Sequence, residues 1–483
     1  MSAAGEPLRR IAIVGGGQVA ILTAIGLKRA VPGCEVVVLV TQGDPRDFAD
    51  HAASALPFSN RLHHRLGITE DVLIGQAGGS HRLILRYIGW GGAGQHGAMA
   101  YGSASGVPQQ ARFAAQWGGG SRSAGAARAP GSLAEVLANA GRFAVHQGEG
   151  TGPVDKLDYA MRWDPAAYRA LLSAEAQRIG VRLVSGGIAR VEMGAGGVAA
   201  ISSTQGERMT ADLYVDCSGI ARSVIGAHPE AEWREGTERT LYYAPLGQGM
   251  LALEDRLSLL PEGWLLELAS RSGLQTILGA RADIHEEAAA RALQTQPAAK
   301  VALHEDAVRE PWIGNVIAIG DAAACMEPLA FLPIDLAHRM LDLLLELLPG
   351  RIIDPRERSE FNRRARLMLD GVHESLALHR AAPFARQVFA GDDPPDAVLS
   401  AIDQYTRRGR LPFREEYAFE AEERIGLYEA LGFTRGIPPQ ERSGDARHVA
   451  ALQAEFERSA KAALAQLPPY GQWMMQRLGA RQA

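Results

Sequence analysis

Ile11-Ala12-Ile13-Val14-Gly15-Gly16-Gly17-Gln18-Val19-Ala20 carries the clearest local signal in the chain. A short β-branched run ends in three glycines, an apolar-periodic segment continues to about Arg29, and a second β-branched run spans Glu35 to Val40. Strand, tight turn, helix and strand within about 30 residues make the βαβ unit in which a glycine-rich turn counts as a dinucleotide-binding fingerprint. Gly15 permits the turn, Gly17 lets backbone approach a pyrophosphate, and Ala20 seats the helix close to the strand. Gly16, Gln18 and Val19 complete the site, where the helix N-terminus offers free N–H groups and a positive dipole end to phosphate. The same turn also occurs as a packing device with no ligand. The second strand runs into Thr41-Gln42 rather than an acidic residue, so Thr41 or Gln42 could make one bond to the ribose hydroxyls, and neither supplies a charge.

Two distant segments extend this pattern. Asp212-Leu213-Tyr214-Val215-Asp216-Cys217-Ser218-Gly219 reads as a buried strand leading to a turn, and Asn315 to Ala323 as a strand handing over through Gly320-Asp321 to a long helix. A carboxylate at Asp321 can accept from ribitol hydroxyls, or simply cap the helix. Ahead of the first of these, a helix is expected over Tyr168–Gly180 and strands over 181–184, 189–193 and 198–203, followed by 213–215 within it and antiparallel strands over 240–282. Residues 93–132 are dense in Gly, Ser and Ala and read as a long loop. After about residue 355 the pattern is mostly amphipathic helix.

Composition narrows the function. The chain has 483 residues, 54 of them glycine, and a formal charge of -5, so no electrostatic attraction to nucleic acid or an anionic membrane is expected. Cys34, Cys217 and Cys325 are too scattered for a disulfide framework or a metal site. No secretory leader and no run of about eighteen apolar residues is present, which reads as a cytoplasmic protein. His51, His63, His64 and His81 match no ligand spacing and read as exposed loop histidines. Cys217 and Cys325 read as small buried hydrophobes, and Glu327 as a solvated or capping charge.

The three separated segments together resemble the FAD-dependent monooxygenase fold, and more closely the tryptophan halogenase family of flavoproteins. Leu66-Gly67-Ile68, Gly89-Trp90, Leu157-Asp158-Tyr159, Asp216-Cys217-Ser218-Gly219, Trp312-Ile313-Gly314-Asn315, Gly320-Asp321-Ala322-Ala323 and Glu327-Pro328-Leu329 fall in family order. The resemblance implies an α/β fold of the glutathione-reductase and hydroxybenzoate-hydroxylase type: a Rossmann-type βαβ core, an antiparallel-sheet substrate region and a mostly helical C-terminal part. It divides the chain into a module over 1–354 and a helical domain over 355–483. Within the first, nucleotide-binding segments 8–60, 155–225 and 305–350 interleave with substrate sheet 65–130 and 235–300. It also implies FAD as cofactor, a separate flavin reductase, a small aromatic substrate and, because the family is often dimeric, a homodimer. Gly320, Asp321, Pro333 and Ile334 are placed beside the flavin.

In that family reduced FAD activates oxygen, chloride is oxidised, and hypohalous acid travels a tunnel to a lysine beside the substrate. The segment Ser80-His81-Arg82-Leu83 puts Arg82 at the lysine position, and a guanidinium stays charged where an amine can react. The family's EPLEST segment is Glu327-Pro328-Leu329-Ala330-Phe331-Leu332 here. Ala330 removes a carboxylate, and Pro333 has no N–H for a halide. Phe331 and Leu332 fill space that the family keeps polar. Only Trp264 remains of the family's paired tryptophans, and the GEAT-like loop becomes His51 to Pro57. The leading expectation is an FAD-dependent oxidoreductase or monooxygenase with halide chemistry lost, in which Arg82 either orients an anion at the reacting centre or makes a structural ion pair. A non-catalytic binding or assembly partner and a halogenase with a rearranged site are the alternatives.

Overall fold

The computed structural model describes residues 5–102, 132–145, 157–437 and 446–479. Strand β1 (Arg10–Val14) is apolar on both faces from Ile11 onward, the pattern of a central parallel strand covered from two sides. It pairs in parallel with β2 (Glu35–Val40) and with Leu213–Asp216. The sheet has six strands in the order Trp312–Ile313, Val316–Ala318, Leu213–Asp216, β1, β2, Arg182–Ser185, antiparallel only at its first pair. This order brings the C-terminal ends of three parallel strands side by side, where open α/β sheets bind their ligands.

Helix α1 (Gln18–Ala30) is buried from Gln18 to Leu27 and packs against the helix Leu332–Glu346. Gly26 fits under Leu341 and Leu345. A second sheet of eight strands is antiparallel except where Glu254–Leu260 runs parallel to Ile84–Ile88. Its core comprises Trp233–Tyr243, Gly263–Ala269, Leu274–Arg281 and Ala299–Val308. Residues 93–132 differ in part from the expected loop: His96–Ala100 is an edge strand of this sheet, added beside Ile84–Ile88, and 103–131 lie outside the described residues. The expected helix and four expected strands lie at Pro165–Arg178, Arg182–Ser185, Ile188–Gly194, Gly197–Ser203 and Leu213–Asp216.

Helices dominate after residue 355, and their starts are written in the sequence. Asp354 accepts from the Arg356 amide at 2.8 Å, with Pro355 opening the 26-residue helix Pro355–Arg380. Asp164 does the same for Pro165–Arg178 by accepting from Ala167. Asp164→Ala is expected to lower stability by about 1 kcal/mol in chemical denaturation, the usual worth of an N-cap. An unchanged midpoint would mean the cap bond contributes nothing. The long helix ends in His379, which is buried, and Arg380, which is mostly covered and reaches Glu327.

Candidate functional site

Ladder bonds converge the three glycine-bearing segments on one place. Gly15 donates to Leu39 O at 3.0 Å, Cys217 to Val14 O at 2.7 Å, and Ile319 to Asp216 O at 2.9 Å. Gly15 has φ +149°, and a Cβ there would stand 2.2 Å from Cys217 O, so only glycine fits the turn. The first turn of α1 has no side-chain cap from its N-cap residue Gly17 and no acidic residue of its own. Asp216 fastens the neighbouring turn, accepting from Ser218, Val224 and Ile225 amides at 2.8 to 3.0 Å.

A loop of the chain lies across this convergence. Asp50 is half-buried, with its carboxylate turned inward onto Gly17, and Oδ1 accepts from the Val19 amide at 2.9 Å. Asp47 lies against Gly219 and accepts from the Ile220 amide at 2.9 Å. Ala49 N donates to Asp321 Oδ2 at 2.8 Å, while Asp321 Oδ1 is buried without a partner. Burial raises all three carboxyls, Asp50 to about 7 and Asp321 well above its ordinary value, with the neighbouring aspartates adding to the Asp321 shift. Thr41 sits at the end of β2, half-buried, with its carbonyl over Gly16.

Arg82 lies fully buried in the second group of side chains. Nη1 donates to Asp255 Oδ2 at 2.8 Å, Nη2 to Ala55 O at 2.9 Å, and the guanidinium lies 3.7 Å over the Phe331 ring. Arg162 Nε binds the other Asp255 oxygen at 2.9 Å and reaches the carbonyls of His81, Ala252 and Glu254. Of the two sequence readings of Arg82, the geometry matches the ion pair. Phe331 and the preceding Ala330 are both left-handed, φ +66° and +51°, a strained conformation for residues with a Cβ. Pro333 and Ile334 follow in the first turn of the next helix, both buried.

Glu327 corrects the sequence reading: it is buried rather than solvated. It accepts from Trp264 Nε1 at 2.5 Å and from Arg380 Nη2 at 3.0 Å, with Arg239 Nε at 3.4 Å. Burial alone would raise its carboxyl, but Arg380 and Arg239 hold it below the ordinary value. Arg380 also binds Glu305 at 3.0 Å. Sequence reasoning missed Arg380 and Glu305, together with Asp47, Asp50, Arg162 and Asp255, because partners so remote in the chain leave no local pattern.

The histidines need a second correction. His51 and His64 are exposed, but His63 and His81 are buried among aromatic rings. His63 Nε2 meets Tyr168 OH at 2.6 Å, and burial lowers its pKa to about 4. A histidine held neutral stabilises the fold fully above its unfolded pKa, near 6.5, and loses that contribution as pH falls toward 4. Denaturation midpoints of His63→Gln and the parent, compared at pH 7 and pH 4.5, should therefore converge on acidification by roughly 2 kcal/mol. Parallel profiles would show that His63 takes up its proton without resistance.

A cavity of about 370 Å³ opens between the Ile220–Arg222 turn and the antiparallel sheet, with Cys325, Arg239 and Arg46 in its wall. Arg222 ion-pairs with Asp306 and stacks 3.9 Å over Trp233. Cys217 and Cys325 are buried thiols raised by desolvation, the inert small groups expected. Among the described residues no His, Cys, Asp and Glu group could hold a metal ion, and no helix is long and apolar enough to cross a membrane.

A parallel sheet with a glycine cradle at its strand ends, joined to an antiparallel sheet with a polar cavity between, is the fold seen in FAD-dependent halogenases. The chain belongs to the tryptophan halogenase family, whose profile matches residues 10–245 and 264–450. It is 23% identical over 406 residues to tryptophan 7-halogenase RebH of Lentzea aerocolonigenes, spanning 77% of this chain and 76% of the relative. Identity to tryptophan 7-halogenase KtzQ of Kutzneria sp. (strain 744) is also 23%, over 411 residues, with the same coverage. BrvH, a flavin-dependent halogenase from Brevundimonas sp. BAL3, superposes with a TM-score of 0.85 at 21% identity, covering 97% of this chain and 99% of that one. Relatives in the family use FAD reduced by a separate flavin reductase.

The frame of the cradle fits such a cofactor. Gly15 and Gly320 have backbone that side chains disfavour, the α1 amides face the cradle, and the orphaned Asp321 Oδ1 is an acceptor awaiting a donor such as a ribityl hydroxyl. The space in front of Gly17 is meanwhile taken by the chain's own Asp50.

Proposed function

We propose that this protein is an FAD-dependent oxidoreductase that oxygenates a small aromatic substrate and has lost the family's halide chemistry. The observation that carries this reading is Arg82. At the position of the family's reactive lysine stands a buried guanidinium, committed to Asp255 and Ala55 and stacked on Phe331. A guanidinium that stays protonated presents no neutral amine to hypohalous acid, and Pro333 offers no N–H to a halide.

Amides of Gly15 to Ala20 would receive the pyrophosphate, Thr41 the adenosine ribose, Gly320 and Asp321 the ribityl chain, and the backbone at Pro333 and Ile334 the ring edge. When bound and reduced by a separate reductase, FAD supplies two electrons to dioxygen, so that one oxygen atom enters the substrate and the other leaves as water. Arg82 here is a positioning residue: it fixes Phe331 and the strained turn before the helix Leu332–Glu346. The cavity beside Cys325 has the size for one aromatic ring system.

The test pairs the purified protein with a flavin reductase, FAD and a panel of indoles and phenols, with and without chloride or bromide. Oxygenated products that do not depend on halide are expected. Halogenated products would overturn the loss of halide chemistry, and failure of oxidised and reduced FAD alike to raise the melting temperature would overturn the flavin reading itself.

A further inference from the structure

We propose that the loop Asp44–Ala55 is a built-in competitor for the cofactor: its Asp50 and Asp47 carboxylates occupy the phosphate cradle, and FAD binds only as this loop withdraws. The inference rests on the flavin reading above. Three separate contacts place the loop on the three cradle segments. Asp50 takes the Val19 amide of the α1 turn, Asp47 takes the Ile220 amide after Gly219, and the Ala49 amide takes Asp321.

These are the groups a dinucleotide would need. A single amide hydrogen at Val19 cannot serve a carboxylate and a phosphate oxygen together, and two anions in one enclosed cradle repel. The glycines sharpen the exclusion. A Cβ on Gly17 would fall 1.9 Å from the Asp50 carboxylate carbon, and one on Gly219 would fall 1.9 Å from Asp47 Oδ1, so the space left open by missing side chains is full. The loop is also held from behind. Gln18 Nε2 donates to the carbonyls of Ala49 and Ala52 at 2.6 and 3.0 Å, and Trp163 Nε1 donates to Ala52 at 3.0 Å. Three carboxylates crowded together, each raised by burial, make this a closed state that a better anion can displace.

The test is FAD titration, followed by flavin fluorescence, of the parent, Asp50→Ala, Asp47→Ala and Asp50→Asn. Removing either carboxylate should tighten Kd about tenfold, the worth of one charge-assisted hydrogen bond. Asp50→Asn keeps an acceptor of the same shape for Val19 and should gain less than Asp50→Ala. Hydrogen exchange on the parent gives a second readout that needs no variant. FAD should speed exchange at the Ala49 amide, which leaves Asp321 with the loop, although a ligand ordinarily slows exchange. Equal affinities with slowed exchange at the Ala49 amide would overturn the competitor and leave the flavin reading standing. No FAD binding to parent or variants would overturn both.

Discussion

Arg82→Ala is expected to destabilise the protein by about 3–5 kcal/mol, read as the shift of the denaturation midpoint in urea. The size follows from what is left behind. Asp255 is completely enclosed and sits between two guanidinium groups, Arg82 at 2.8 Å and Arg162 at 2.9 Å. Removing one leaves a buried carboxylate with half its compensation, the Ala55 carbonyl without a donor, and Phe331 without the plane it stacks on. Arg82→Lys should recover only part, since a point ammonium cannot bond Asp255 and Ala55 in one plane or cover the ring. If Arg82→Ala costs under about 1 kcal/mol, the triad is not what holds this region and the positioning role fails. If Arg82→Lys brings halogenation, the proposed loss of halide chemistry rests on that one side chain.

Glu327→Ala is the second large effect, again about 3–5 kcal/mol. It would orphan the Trp264 indole N–H and leave Arg380 and Arg239 buried, with Glu305 and Asp392 as their remaining partners. A pH profile separates this charge from mere packing. The carboxyl lies below its ordinary value in the fold, so its contribution is complete above the unfolded carboxylate range and fades as pH falls through the lower folded value. The difference in stability between parent and Glu327→Gln should therefore be constant near neutrality and shrink in acid. A constant difference down to the acid limit would assign the effect to the hydrogen bonds alone.

Much of the fold was legible because it is local. The run Ile11–Val14, the three glycines and the apolar face of α1 announce a βαβ unit from side-chain periodicity and turn chemistry alone, and β1, α1 and β2 lie where that pattern puts them. Caps at Asp164 and Asp354 are equally local, a carboxylate followed by proline. Charges were harder. Glu327 has the same sequence surroundings whether it faces water or Arg380, and His63 whether it lies on the surface or under Tyr168. Burial of a polar group depends on partners far along the chain, 53 residues away for Glu327 and Arg380, and 173 for Arg82 and Asp255.

The class of fold and the glycine frame of a nucleotide cradle follow from the residues themselves, and the expectation that Arg82, Ala330 and Pro333 stand at family positions comes from the same reading. What surrounds those positions depends on the fold. It makes Arg82 one arm of an enclosed ion triad with Asp255 and Arg162, and it puts Asp47 and Asp50 on the cradle. The physical reason is range. Backbone conformation follows from neighbouring residues, whereas the state of a charge follows from whichever groups the fold brings within a few ångströms of it.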